Sequence, residues 1–305
     1  MPLHIDYRPK TLREMAGNNA TIESLSAILS REKDIPHAFL FTGASGCGKT
    51  TLGRIVANTL GCSSNDYREI DSADFRGIDS IREIRQQARL KPMVGNVKVW
   101  LLDEVHKLTN DAMNALLKIL EDTPSHVYFI LCTTDPEKLL KTIKSRCMQF
   151  TVNPLSEKQM TRHLKKVVEQ EGVTDFPEEA YALIHQNSLG HVRAALVLLD
   201  KVIDLDPSSI LKSIEQAASE EAQVIDLCRM LLARNSWKKI ISVLKSLQET
   251  QEAESIRYAV LGYMNSVLLR EDNKQAYQVI DLFKEPFFNS GKPGLTLACY
   301  ESVTL

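Results

Sequence analysis

The chain has 305 residues, 44% of them hydrophobic and 25% charged, a usage typical of globular proteins that excludes a disordered tail or a fibrous protein. That length exceeds one ordinary domain and suggests two or three. With 37 Lys and Arg against 39 Asp and Glu, the formal charge is -2, so contact with nucleic acid must come from a local basic surface, not from a global field.

The N-terminal stretch MPLHIDYRPKTLREM has no apolar signal-peptide core, and nothing approaches the ~18 apolar residues of a membrane span. A soluble cytoplasmic chain without membrane contact is expected. Short β-branched or aromatic runs follow at Ala38 to Thr42, Tyr67 to Ile70, Val97 to Leu102, Val127 to Cys132 and Met148 to Val152, with longer amphipathic segments between them. This alternation predicts an α/β domain with a parallel sheet covered by helices. After Pro154 the apolar residues recur every three or four positions to the end, which predicts helices, among them Ala222 to Ala233, Lys238 to Gln248 and Ile256 to Leu269. Asp206-Pro207-Ser208 reads as a break that starts a new helix. The expected division is therefore 1–153, 154–206 and 207–305.

Between the first strand and a helical run from Thr51 lies Gly43-Ala44-Ser45-Gly46-Cys47-Gly48-Lys49-Thr50, a match to the phosphate-binding pattern G-x-x-x-x-G-K-[ST]. Its glycines let successive N–H groups and the helix N-terminus face phosphate oxygens, Lys49 adds a point charge, and the Thr50 hydroxyl suits Mg²⁺. A Cβ at Gly48 would crowd the phosphate. Cys47 occupies a variable position of the pattern and is given no redox role. The six cysteines, Cys47, Cys62, Cys132, Cys147, Cys228 and Cys299, are too widely spaced for a zinc pair and read as buried thiols of a reducing compartment. No zinc is expected.

The strand Lys98 to Leu102 ends in Asp103-Glu104, at the carboxyl end where open α/β sheets carry their ligand chemistry. Asp103 would hold Mg²⁺ through water, and Glu104 would orient or deprotonate a water attacking the γ-phosphate. An acidic pair that merely terminates a strand is the plain alternative.

These segments, with Tyr7-Arg8-Pro9 and Met15-Ala16-Gly17-Asn18, Leu101 to Leu108, Asn114 to Lys118, Thr133-Thr134-Asp135-Pro136, Ser145-Arg146-Cys147 and Gly190 to Leu196, resemble the AAA+ ATPase subunits of clamp loaders, namely bacterial DNA polymerase III gamma/tau and the small subunits of replication factor C. The resemblance implies an AAA+ P-loop NTPase domain, a helical lid domain and an all-α collar domain that fixes a ring. It implies ATP with Mg²⁺, with Tyr7, Arg8, Ala16, Thr51 and the loop residues around the nucleotide. It implies partners too: copies of the chain, a further clamp-loader subunit, a ring-shaped sliding clamp and primer-template DNA. Two departures stand out. Cys62 runs directly into Ser63-Ser64-Asn65-Asp66 where gamma/tau carries a four-cysteine module, and Asp71 to Asp79 is closer to replication factor C. The long tau extension is absent from the sequence.

By the same resemblance, Arg146 in the SRC tripeptide completes the ATP site of the neighbouring subunit as an arginine finger. Thr134 at a strand end offers a hydroxyl for the attacking water, or caps a turn. Arg193 extends from a helix whose apolar face is Val192, Ala195, Leu196 and Leu199, and reaches the nucleotide or stays solvated. In the segment Arg76 to Arg89 and beside Lys107-Leu108-Thr109-Asn110, Arg82, Arg85 and Lys107 are candidates for DNA phosphates, with a solvated face as the alternative. A branch-migration helicase and a scaffold subunit with little turnover remain as other functions.

Overall fold

In the computed structural model, which describes residues 1–75 and 77–304 apart from the side chains of 217–221, the chain divides into two units, Met1–Leu211 and Lys212–Leu305. Arg76, the first residue of the basic segment named above, lies outside the described residues.

The first unit opens with α1 (Leu3–Asp6) and α2 (Asn19–Leu29), then alternates β1 (Ala38–Thr42), α3 (Lys49–Thr59), β2 (Tyr67–Asp71), α4 (Ile78–Ala88), β3 (Lys98–Asp103), α5 (Asn110–Glu121), β4 (Val127–Thr133), α6 (Lys141–Arg146) and β5 (Met148–Thr151). Every strand pairing is parallel, and the order across the sheet is β2-β3-β4-β1-β5. The three inner strands are apolar almost throughout, as strands covered on both faces must be. Alternate side chains enter opposite cores. Leu40, Trp100, Leu102, Phe129 and Leu131 pack with Ile81, Ile84, Met113 and Leu116 of α4 and α5. Phe39, Phe41, Val99, Leu101 and Ile130 pack with Leu25 of α2 and Leu52 and Val56 of α3.

The apolar runs locate all five strands, and the boundaries differ by one residue. Asp71, Asp103 and Thr133 extend β2, β3 and β4 because pairing continues beneath polar side chains: Asp71 faces Asp103, and Thr133 faces Thr42. At the other boundaries β3 begins at Lys98 and not Val97. Val152 falls outside β5, although its N–H still donates to Thr42 O at 2.8 Å.

Three helices complete the unit: α7 (Glu157–Gln170), α8 (Glu178–Ser188) and α9 (Val192–Val202). Ser156 and Gln159 form a reciprocal capping box at the start of α7.

The next helix, α10 (Pro207–Leu232), starts at the Asp206-Pro207 break and runs on through the segment expected to begin at Ala222. The second unit continues with α11 (Trp237–Thr250), α12 (Ala253–Leu268), α13 (Lys274–Phe283) and α14 (Gly291–Thr304). Its core gathers Leu227, Leu231, Leu244, Val260, Met264, Phe283 and Cys299. Arg257 is 4% exposed and donates to Glu254 and to the carbonyls of Phe283 and Lys284, the kind of partners a buried charge requires. Glu254 also accepts the Phe287 N–H. No helix among the described residues is long and apolar enough to cross a membrane.

Candidate nucleotide site

The loop after β1 and the acidic pair at the end of β3 stand on either side of β4 at the carboxyl end of the sheet, because β4 separates β1 from β3. Lys49, only 5% exposed, donates from Nζ to Gly43 O and Ala44 O, both at 2.9 Å. Two of its three ammonium donors thus close the loop on itself, and the third is left for an anion. The adjacent Thr50 hydroxyl donates to Asp103 Oδ2 at 2.6 Å. This joins the first turn of α3 to the end of β3 and sets two hard oxygen donors side by side. That is the chemistry Mg²⁺ takes when it is held by one or two protein ligands together with phosphates. Among the described residues, no group of three or more His, Cys, Asp or Glu could hold a metal by itself.

Gly43, Gly46 and Gly48 of the loop all have positive φ. Gly48 has φ 102°, and Gly43 has φ 147° with the position of a Cβ only 2.1 Å from Val152 O. A backbone oxygen cannot yield as a side chain does. Gly43→Ala is therefore expected to destabilise the protein by about 3 kcal/mol, seen as a lower denaturation midpoint without nucleotide.

Glu104 has φ 49°, a left-handed conformation that is uncommon outside glycine. Its N–H donates to Asp103 Oδ1 at 2.9 Å. Its Oε2 accepts from Thr134 Oγ1 at 3.1 Å and lies 3.2 Å from His106 Nδ1. Thr134 thus bonds Glu104 directly, and the turn after β4 is capped by its neighbour, Thr133 Oγ1, which accepts the Asp135 N–H at 3.0 Å.

Tyr7, Arg8, Ala16, the loop residues Ser45 to Gly48, Lys49, Thr50, Thr51, Asp103, Glu104 and Arg193 all line one cleft. Gly43 and Ala44 serve it from behind through the carbonyls that hold Lys49. The start of α9 lies against the loop, where the Arg193 N–H donates to Gly46 O at 3.3 Å. Tyr7 OH donates to Glu171 Oε1 at 2.5 Å, which with burial raises the phenol to about 12. Cys47 Sγ is 3.3 Å from His191 Nδ1, and burial pushes its thiol upward, which makes it a poor nucleophile.

Arg146, Arg82, Arg85 and Lys107 are not among the residues of the cleft. Arg146 ends α6 and donates to Glu121 Oε1 at 2.6 Å and to Thr142 O at 3.2 Å. Arg82 is exposed on α4, paired with Asp79 at 3.0 Å. Arg85 is half-buried on the same helix, and Lys107 is exposed in the turn before α5.

Conversely, the cleft contains residues that the sequence reading passed over. Arg54 makes a bidentate pair with Glu69 at 2.8 and 2.6 Å. Its position four residues after Thr50, on one face of α3, is the one local signal for it. His4 and His163 also line the cleft, and each buries a ring nitrogen without a partner among the described residues.

The family described as "DNA polymerase III, delta subunit" matches residues 66–156. The chain is 34% identical to the DNA polymerase III subunit gamma of Buchnera aphidicola subsp. Schizaphis graminum over 287 residues, covering 86% of this chain and 78% of that one. It is 30% identical to the DNA polymerase III subunit tau of Escherichia coli, again over 86% of this chain but only 44% of the relative. It spans 33% of the tau/gamma subunit of Haemophilus influenzae, at 34% identity over 68% of its own length. Among solved structures, the Thermotoga maritima RuvB Holliday junction branch migration motor superposes with a TM-score of 0.57 at 23% identity, over 68% of this chain and 72% of that one. A single-residue mutant of the same RuvB gives 0.60 at 21%, over 71% and 78%. At these identities the structural likeness speaks for the fold alone.

Proposed function

The chain belongs to the family of DNA polymerase III gamma/tau subunits, and from that premise we propose that it is an ATPase subunit of a sliding-clamp loader. The observation that carries the reading is the contact between Thr50 and Asp103 at 2.6 Å, which draws the phosphate loop and the acidic strand into one site beside Glu104.

In this reading the loop N–H groups and Lys49 bind the β- and γ-phosphates of ATP, and Tyr7, Arg8, Ala16, Thr51 and Arg193 enclose the nucleotide. Thr50 and Asp103 would hold Mg²⁺, which when bound neutralises charge on the phosphate oxygens. Glu104 takes a proton from the attacking water, and Thr134 fixes Glu104. Arg146 ends on the surface beside Glu121, outside its own cleft, which supports its use in the cleft of an adjacent copy. The subunits thereby become efficient hydrolases on assembly. Segment 154–206 acts as the lid, 207–305 as the collar, and Arg82, Arg85 and Lys107 meet DNA phosphates without reading bases. The partners are copies of this chain, a further loader subunit, a ring-shaped sliding clamp and primer-template DNA, in the cytoplasm of a bacterium or of a phage-infected host.

The test is ATP turnover by the assembled protein with its clamp and primed DNA. Turnover is expected to rise when both are present and to fall as salt weakens the phosphate contacts. Processive unwinding of branched DNA without need of a clamp would favour a branch-migration motor, and full activity in clamp loading without turnover would favour a scaffold role.

A further inference from the structure

The unusual backbone of Glu104 poses a question of support, since a left-handed conformation at a non-glycine residue persists only where its surroundings over-determine it. Three contacts do so. The Glu104 N–H is held by Asp103 Oδ1 at 2.9 Å, and the carboxylate meets two groups at the same oxygen, Oε2: the Thr134 hydroxyl at 3.1 Å and His106 Nδ1 at 3.2 Å. No described residue donates to Oε1.

The surroundings select one tautomer of His106. Its Nδ1 also lies 3.0 Å from Thr133 Oγ1, on a fully buried residue. A lone pair on Nδ1 would face the lone pairs of the carboxylate oxygen at short range, whereas a hydrogen there is shared between Oε2 and Thr133 Oγ1, both able to accept. Burial keeps the imidazole below its ordinary value, with Glu104 and Asp135 favouring the charged ring and Lys138 and Lys107 opposing it. Burial therefore favours the neutral ring, with Nδ1–H as the donor.

We infer that His106 is a positioning residue that, together with Thr134, pins Oε2 of Glu104 and leaves Oε1 as the oxygen that receives the proton of the attacking water. The inference rests on the reading of Glu104 as the general base. In that step an O–H bond of water breaks and its proton passes to Oε1. The water oxygen bonds to the γ-phosphorus, and the electron pair of the broken P–O bond leaves with ADP. Two donors on one oxygen make the other the more basic and fix its direction. Thr133 anchors the ring, so the buried end of β4 is linked through His106 to the base.

The test uses the assembled protein and five variants. His106→Leu removes the donor and is expected to lower kcat about 10- to 30-fold while nucleotide Kd stays within twofold. His106→Asn returns an N–H near the Nδ1 position and is expected to restore turnover to within about threefold of the wild type. His106→Gln carries its N–H near the Nε2 position and should be as slow as His106→Leu, which keeps the comparison valid should the leucine variant not fold. In a Glu104→Gln background, His106→Leu should change nothing further, because the group it positions is already disabled. The inference is overturned if His106→Leu turns over at the wild-type rate, if His106→Asn is no better than His106→Gln, or if the loss recurs at full size with Glu104→Gln. Glu104→Gln hydrolysing ATP normally would overturn the reading of the base as well. An inactive Glu104→Gln beside a fully active His106→Leu would remove the role of His106 alone.

Discussion

Arg146→Ala is expected to lower ATP turnover of the assembled protein by about 10³-fold or more, within the ~10³–10⁵ range of arginine fingers, while each subunit binds nucleotide as before. Three observations lead there. Arg146 ends α6 on the surface and is absent from the cleft that holds Lys49, Thr50, Asp103 and Glu104. In the free chain its guanidinium is engaged by Glu121 and Thr142 O. An exposed pair of this kind contributes about 1 kcal/mol at most, so the substitution should leave the thermal midpoint of the isolated chain nearly unchanged. The decisive measurement mixes two inactive proteins. Arg146→Ala keeps a complete cleft and lacks the finger, whereas Glu104→Gln keeps the finger and lacks the base. Mixed assemblies should regain a fraction of wild-type turnover at interfaces that join an intact cleft to an intact arginine. If nucleotide binding falls while turnover holds, or if mixing restores nothing, the role in the neighbouring site is wrong.

Lys49→Ala should abolish nucleotide binding at concentrations at least about 10³ times those that saturate the wild type. The ammonium is almost fully buried and does two things at once. In the proposed reading it neutralises phosphate charge in a site of low effective dielectric, and it ties Gly43 O and Ala44 O at 2.9 Å. Its loss leaves those carbonyls without their donor, at a cost of about 1–3 kcal/mol where water does not replace it, so the midpoint without nucleotide should fall too. Lys49→Arg tests geometry rather than charge: a planar fork cannot place single donors as the ammonium does, and binding should stay weak. Calorimetric titration with ATP measures both variants. Near-normal affinity in Lys49→Ala would mean that the loop amides alone hold the phosphates.

The sheet and its phosphate loop were legible because their signals are local. Phe39 to Phe41 and Trp100 to Leu102 are apolar at successive positions, as only strands covered on both sides can be, and the glycine pattern sits where β1 turns into α3. Asp103 and Glu104 could be read from the end of an apolar run. The strand order could not, since nothing near Val127 says that this strand comes between β1 and β3. The partners that complete the site were hidden for the same reason. His106 stands three residues after Asp103 in a run already under scrutiny, yet its importance depends on Thr133, which reaches it only through sheet pairing. Glu121 lies far from Arg146 in sequence and meets it only where α5 and α6 pack. Arg146 itself, and the trans role given to it, came from resemblance to a family and not from spacing.

β4 finishes at Thr133 and is followed directly by Thr134, and the two have different tasks: Thr133 faces inward to His106, and Thr134 bonds the carboxylate of Glu104. Because side chains along a strand alternate, removing or adding a single residue between Tyr128 and Cys132 would exchange those facings, even if every chemical group were kept. The arrangement around Glu104 is thus more forgiving of composition than of arithmetic: a conservative replacement within the strand perturbs one contact, whereas a frame-preserving codon insertion there disconnects the Glu104 carboxylate from both of its supports at once.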